Sequence, residues 1–230
     1  MRVSFYNLKF FSTRITPLVA TTYLLAHLQN TPAAGQITPV ANDTDTTVNH
    51  PLTYDGMRHI MGYPQLPDNN TFNITGGIKT GENLFHSFEK FGLQQGQTAN
   101  FISNPSIQNI LTRITGGEAS FINGLIKVTG GNSNLYFMNP AGIMFGNNAQ
   151  LDVRAAFTAT TANGIGFGDK WFNAIGNNDY KSLIGNPTQL AFTMNQPGAI
   201  VNNAYLYSNG NISLIGGTVI SNGGISSAQG

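Results

Sequence analysis

Side chains able to do acid–base chemistry are scarce in this chain: 10 Asp and Glu, 11 Lys and Arg and four His among 230 residues. Sugar-chain cleavage would need two carboxylates facing one groove, about 5 to 9.5 Å apart. Over residues 107–153, where the strand pattern is most regular, only Glu118 and Asp152 are acidic and only Arg113 and Lys127 basic. Such a sparse set reads as solvated corner charges rather than a catalytic constellation. His50 and His59 could share a metal with Asp55, but no tight ligand spacing such as His-Glu-x-x-His occurs. His86, between Phe85 and Phe88, reads as a packed histidine, and Glu89-Lys90 beside it as a surface charge pair. The alternating glycines of Gly164-Ile165-Gly166-Phe167-Gly168 lack the strand, turn and helix that a phosphate loop needs. Cysteine is absent, which removes thiol chemistry and thiolate metal sites. The expectation is a protein without catalytic, cofactor or metal residues.

The elements that must carry so little chemistry are turn-rich. Charged residues make up 9% of the chain, against about 25% in an ordinary soluble domain, and Gly is abundant at 27. Residues 1–35 read as a signal peptide. Arg2, Lys9 and Arg14 precede an apolar run over 15–28, and small residues follow at 31–35. That run is shorter than the roughly 20 residues of a membrane span. Its removal takes three basic and no acidic residues, leaving 8 against 10, and no basic stripe survives to suggest nucleic acid.

Residues 36–75 are irregular and proline-dotted, with one short strand near 46–49, and read as a cap. Strand-like runs follow at 99–103, 107–114, 121–128, 134–138, 143–145 and 149–153, each bounded by Gly, Asn or Pro. Thr-Gly-Gly ends an apolar-flanked run at 75–77, 115–117 and 129–131, with a looser copy at 214–217. The fold class expected is all-β: a right-handed parallel β-helix over 76–230, with coils of about 20 residues. A different texture near 168–196 reads as an excursion lying against it. The Gly- and Ser-rich end suggests a fragment of a longer protein or a chain that stopped early.

From about Ile37 to Gly217 the chain resembles the N-terminal secretion domain of two-partner-secreted proteins, the filamentous haemagglutinin group. Asn139-Pro140-Ala141-Gly142-Ile143 is similar to the family's Asn-Pro-Asn-Gly-Ile turn, departing at Ala141. Asn104-Pro105-Ser106-Ile107 falls where its Asn-Pro-Asn-Leu turn would, with two departures. The segments 83–88, 109–116 and 151–153 also fit. The resemblance implies a β-helix with an N-terminal cap and extra-helical strands. It further implies a secretion domain that directs an adhesin-like exoprotein to the surface of a Gram-negative-type cell. The implied partner is an outer-membrane Omp85-type transporter, whose periplasmic POTRA domains bind the largely unfolded chain. Two other readings stand beside it: a β-helical lyase or hydrolase, and a surface protein that binds host or surface glycans.

The residue types of both turns also have a purely local reason. Proline fixes φ near about −65° and holds the asparagine before it extended, while the asparagine side chain bonds nearby backbone. Gly142 can take the positive φ that a corner requires.

Overall fold

The computed structural model describes residues 2–4, 35–49, 52–53, 66–67 and 70–228. The expected leader over 1–35 and the candidate metal residues His50, Asp55 and His59 lie almost wholly outside these; of the leader, only Arg2–Ser4 and Gly35 are described.

From residue 71 each turn of the chain lays its strands in parallel on the turn before. A first sheet stacks Asn83–Phe91, Asn109–Ile114, Asn134–Met138, Phe157–Thr160 and Ile212–Ile215 in that order. A second stacks Thr71–Thr75, Thr98–Ile102, Leu125–Thr129 and Gln150–Asp152. A third stacks Ser120–Ile122, Ile143–Phe145, Ala199–Asn202 and Thr218–Ser221. Leu206–Ser208 and Ile225–Ser227 pair in parallel at the far end. The architecture is a parallel β-helix, in which nearly every strand finds its backbone partners in the coils before and after.

Three expectations about its layout change. The run 121–128 is not one strand, because Asn123-Gly124 turns a corner between the third and second sheets. Stacking begins at Thr71, ahead of the boundary at 76, since Thr71–Thr75 pairs in parallel with Thr98–Ile102. Coil length is also not constant. Leu125 lies beside Thr98, 27 positions on; Asn134 beside Asn109, 25 on; Phe157 beside Leu135, 22 on; and Ile225 beside Leu206, 19 on. Part of the change lies in the corners: the connection from second to first sheet shrinks from the six residues 103–108 to four, 130–133 and then 153–156.

Alternation within each strand decides which face is filled. Ile110, Leu135, Phe137 and Phe157 point into the coil and pack with Ile74, Phe101, Ile126 and Phe145 of the other sheets. Phe85, Leu111 and Met138 on the opposite face of the first sheet are equally buried, under a second cluster. An antiparallel sheet covers them, built from Gly164–Phe167, Lys170–Asn173 and Gln189–Ala191, with Arg2–Ser4 on its edge. It contributes Ile165, Phe172 and Leu190, and the connection between its strands Lys170–Asn173 and Gln189–Ala191 contributes Tyr180 and Leu183. Covered on both sides, Asn109–Ile114 is buried at every position, as a strand in a parallel sheet with both faces packed must be. The excursion therefore starts at Gly164, earlier than 168. Its alternating glycines make room for an indole: a Cβ on Gly164 or Gly166 would stand 3.1–3.2 Å from the Trp171 ring.

At the start of the stack three antiparallel strands cover the edge. Ile78–Thr80 and Ile37–Pro39 pair with the two halves of Asn83–Phe91, and Thr47–Asn49 pairs with Thr71–Thr75. Strands added in the opposite sense remove the unpaired edge that a parallel stack would otherwise present.

Candidate functional site

The two asparagine–proline corners share a local plan and differ in exposure. In each, the asparagine Oδ1 accepts the N–H two residues on: Ser106 N at 2.9 Å for Asn104, and Ala141 N at 3.0 Å for Asn139. In each, the asparagine carbonyl accepts the N–H three residues on, from Ile107 at 3.0 Å and Gly142 at 3.1 Å. That is the tight turn the residue types predict.

Asn139 is fully buried and ties three coils together. Its Nδ2 donates to Glu118 O and Ser120 Oγ, both at 2.9 Å, in the coil before, and its backbone N–H donates to Thr160 O in the coil after. Gly142 has φ +131°, and a Cβ there would stand 3.2 Å from Ala199 O. Pro140 is buried too, its carbonyl accepting from Gly198 N, and Ile143 packs in the coil interior, leaving only Ala141 half-buried. In the folded molecule only Ala141 of this corner meets solvent.

Asn104, Pro105 and Ser106 are exposed, and only Ile107 turns inward. Asn104 Oδ1 also accepts from Ser106 Oγ at 2.6 Å, and Lys79 Nζ donates to that hydroxyl at 2.8 Å. The turn forms one wall of an open cleft of about 660 Å³, shared with Glu82, Gln108, Lys127, Asp152 and Arg154.

Side-chain ladders hold these corners in register. Asn109 Nδ2 donates to Asn83 Oδ1 and Asn134 Nδ2 to Asn109 Oδ1, both at 2.9 Å, one rung per coil. Asn100 repeats the device on the second sheet, donating to Asn73 Oδ1 at 2.8 Å and accepting from Thr129 Oγ1. The Thr-Gly-Gly copies mark the places where one coil lies directly on a carbonyl of the previous one. A Cβ on Gly116 would overlap the Glu89 carbonyl, and one on Gly130 the Ser103 carbonyl.

The charged residues are not all solvated corners. Glu118 pairs with Lys90 and Asp152 with Lys127, at 3.3 and 2.8 Å, on half-exposed surface. Lys90 therefore reaches its partner in the next coil and not Glu89, its neighbour, because adjacent strand residues face opposite ways. Arg113 is buried, 4% exposed, and bonded to Asp43 at 2.7 Å. His86 is buried as well; its Nδ1 lies 3.0 Å from Thr46 Oγ1, its Nε2 has no partner, and burial lowers its pKa to about 4. Among the described residues no three His, Asp or Glu side chains gather as metal ligands would.

A family model described as the TPS secretion domain matches residues 53–230. The chain belongs to that family. Among solved structures, the TPS secretion domain here is similar to the HMW1 secretion domain from Haemophilus influenzae. The TM-score is 0.54 at 21% sequence identity, with 84% of this chain and 42% of that chain covered. At that identity the likeness speaks for the fold. This TPS secretion domain spans less than half the length of that structure. No curated protein matches it.

Proposed function

We propose that this chain is the non-enzymatic secretion domain of an adhesin-like exoprotein of the filamentous haemagglutinin group. An outer-membrane Omp85-type transporter recognises it through POTRA domains and carries it to the surface of a Gram-negative-type cell. Residues 1–35 serve as the signal peptide, the segment before Thr71 as the cap, and 71–228, apart from the outer segment 164–191, as a right-handed β-helix, the hand that β-crossover connections almost always take. The observation that carries the reading is the family match over 53–230.

The contrast between the corners divides their roles. With Asn139, Pro140, Gly142 and Ile143 packed inside the folded coil, a transporter reads that corner only in the unfolded chain. Asn104, Pro105 and Ser106 are open to a partner in either state.

Export measured alongside stability separates recognition from folding. Asn139→Ala removes two side-chain donor bonds and one acceptor bond from a buried corner and should lower stability by about 2 kcal/mol. The double variant Asn104→Ala, Ser106→Ala touches exposed atoms and should leave the denaturation midpoint nearly unchanged. Its export through the co-expressed transporter should nevertheless fall severalfold. Export that tracks stability alone across these variants would reduce both corners to turns.

A further inference from the structure

Arg113 joins three stretches of chain that are remote in sequence. Its Nε–H donates to Ser87 Oγ at 3.0 Å in the neighbouring coil, and Nη2 donates to Asp43 Oδ2 at 2.7 Å in the turn over 41–44. Nη1 donates to the carbonyls of Asn173 at 2.8 Å and Gly176 at 2.7 Å, at the end of the outer sheet. The guanidinium also lies 5.9 Å from the centre of the Phe172 ring. Tyr180 closes the circuit, its hydroxyl donating to Asp43 Oδ1 at 3.0 Å and Oδ2 at 3.2 Å. Burial alone would push the Asp43 carboxyl up. Hydrogen bonds from Ser87 and Arg113, the Arg113 charge and the Tyr180 hydroxyl outweigh it and hold the group ionised below the usual range. Burial raises the Tyr180 phenol, so it keeps the proton it donates.

Each side of this network depends on the other. Without 173–180, Arg113 and Asp43 would form a pair on an open sheet face, where such pairs contribute little. With 173–180 in place and Asp43 withdrawn, the outer sheet would bury a cation beside neutral partners only, a costly arrangement. We propose that Arg113 is a latch: it makes docking of the N-terminal turn 41–46 and docking of the outer segment 163–191 conditional on one another. The two then open and close as one unit, although Asp43 and Tyr180 are 137 positions apart. A chain delivered from its N-terminus leaves the turn at Asp43 unlocked until residue 180 has arrived. What this does for export rests on the proposed function; the coupling itself does not.

Native-state hydrogen exchange on the full chain reads the coupling. Tyr180→Phe changes a residue of the outer segment and removes its hydroxyl from Asp43, and should speed exchange of the Val40 amide, which donates to Ser87 O, about tenfold. Asp43→Asn changes a residue of the turn, at the carboxylate that faces Arg113 and Tyr180, and should speed exchange of the Ala174 and Thr188 amides, which are bonded within the excursion, by a similar factor. In an Arg113→Met background, Tyr180→Phe should no longer affect Val40. Lys127→Ala, which removes a surface ion pair, should change neither set. If each substitution speeds exchange only on its own side, there is no latch. Should Asp43→Asn fail to fold, Tyr180→Phe read at Val40 decides alone. Export plays no part in the readout, so failure of the secretion reading would leave this result standing, and the reverse.

Discussion

Buried with a single hydroxyl for a partner, His86 can be protonated only by disrupting its surroundings. The unfolded chain carries an ordinary histidine near 6.5, and the folded one is lowered to about 4 by burial. Between these values the unfolded state binds more protons. Stability is therefore complete above 6.5 and declines as pH falls towards 4, by about 3 kcal/mol in all. Asp43 is held below its ordinary 3.8, so its contribution is lost only at still lower pH. Urea midpoints at pH 7.5 and 4.5 should thus differ strongly for the native chain. In His86→Leu, which has nothing to protonate there, most of that difference should vanish. A wild-type midpoint that is flat over this range would mean that His86 meets water in solution.

At the scale of strands and corners, registration comes from polar ladders as much as from apolar packing. Asn109 occupies the middle rung, bonded to Asn83, Asn134 and Asn186 at once. Asn109→Ala would strand amides on both neighbouring coils and should cost about 2 kcal/mol, seen as a lowered midpoint with unchanged far-ultraviolet circular dichroism. Much of this layer can be read in the chain itself. Short apolar runs bounded by Gly, Asn and Pro mark strands and corners because backbone geometry there is local, and both asparagine–proline turns form as their residue types require. The corner at Asn123-Gly124 had a local signal, the Asn-Gly pair, but the apolar run across it is continuous in composition. Arg113 shows the other kind of miss. Its strand position places it on the outward face, yet whether that face meets water depends on Phe172 and Tyr180, some 60 residues later. No local pattern carries that information, nor does one distinguish the buried corner at Asn139 from the exposed one at Asn104.

Viewed whole, the molecule is a stack closed at its first coil by antiparallel strands and continued coil on coil by parallel ones as far as Ile225–Ser227. The shortening coils carry a mechanical consequence. A late coil holds 19 residues, which fully drawn out reach about 65 Å, yet laying it down lengthens the stack by only about 4.8 Å. Wound at one end, such a thread is reeled in roughly thirteen times faster than the spool grows.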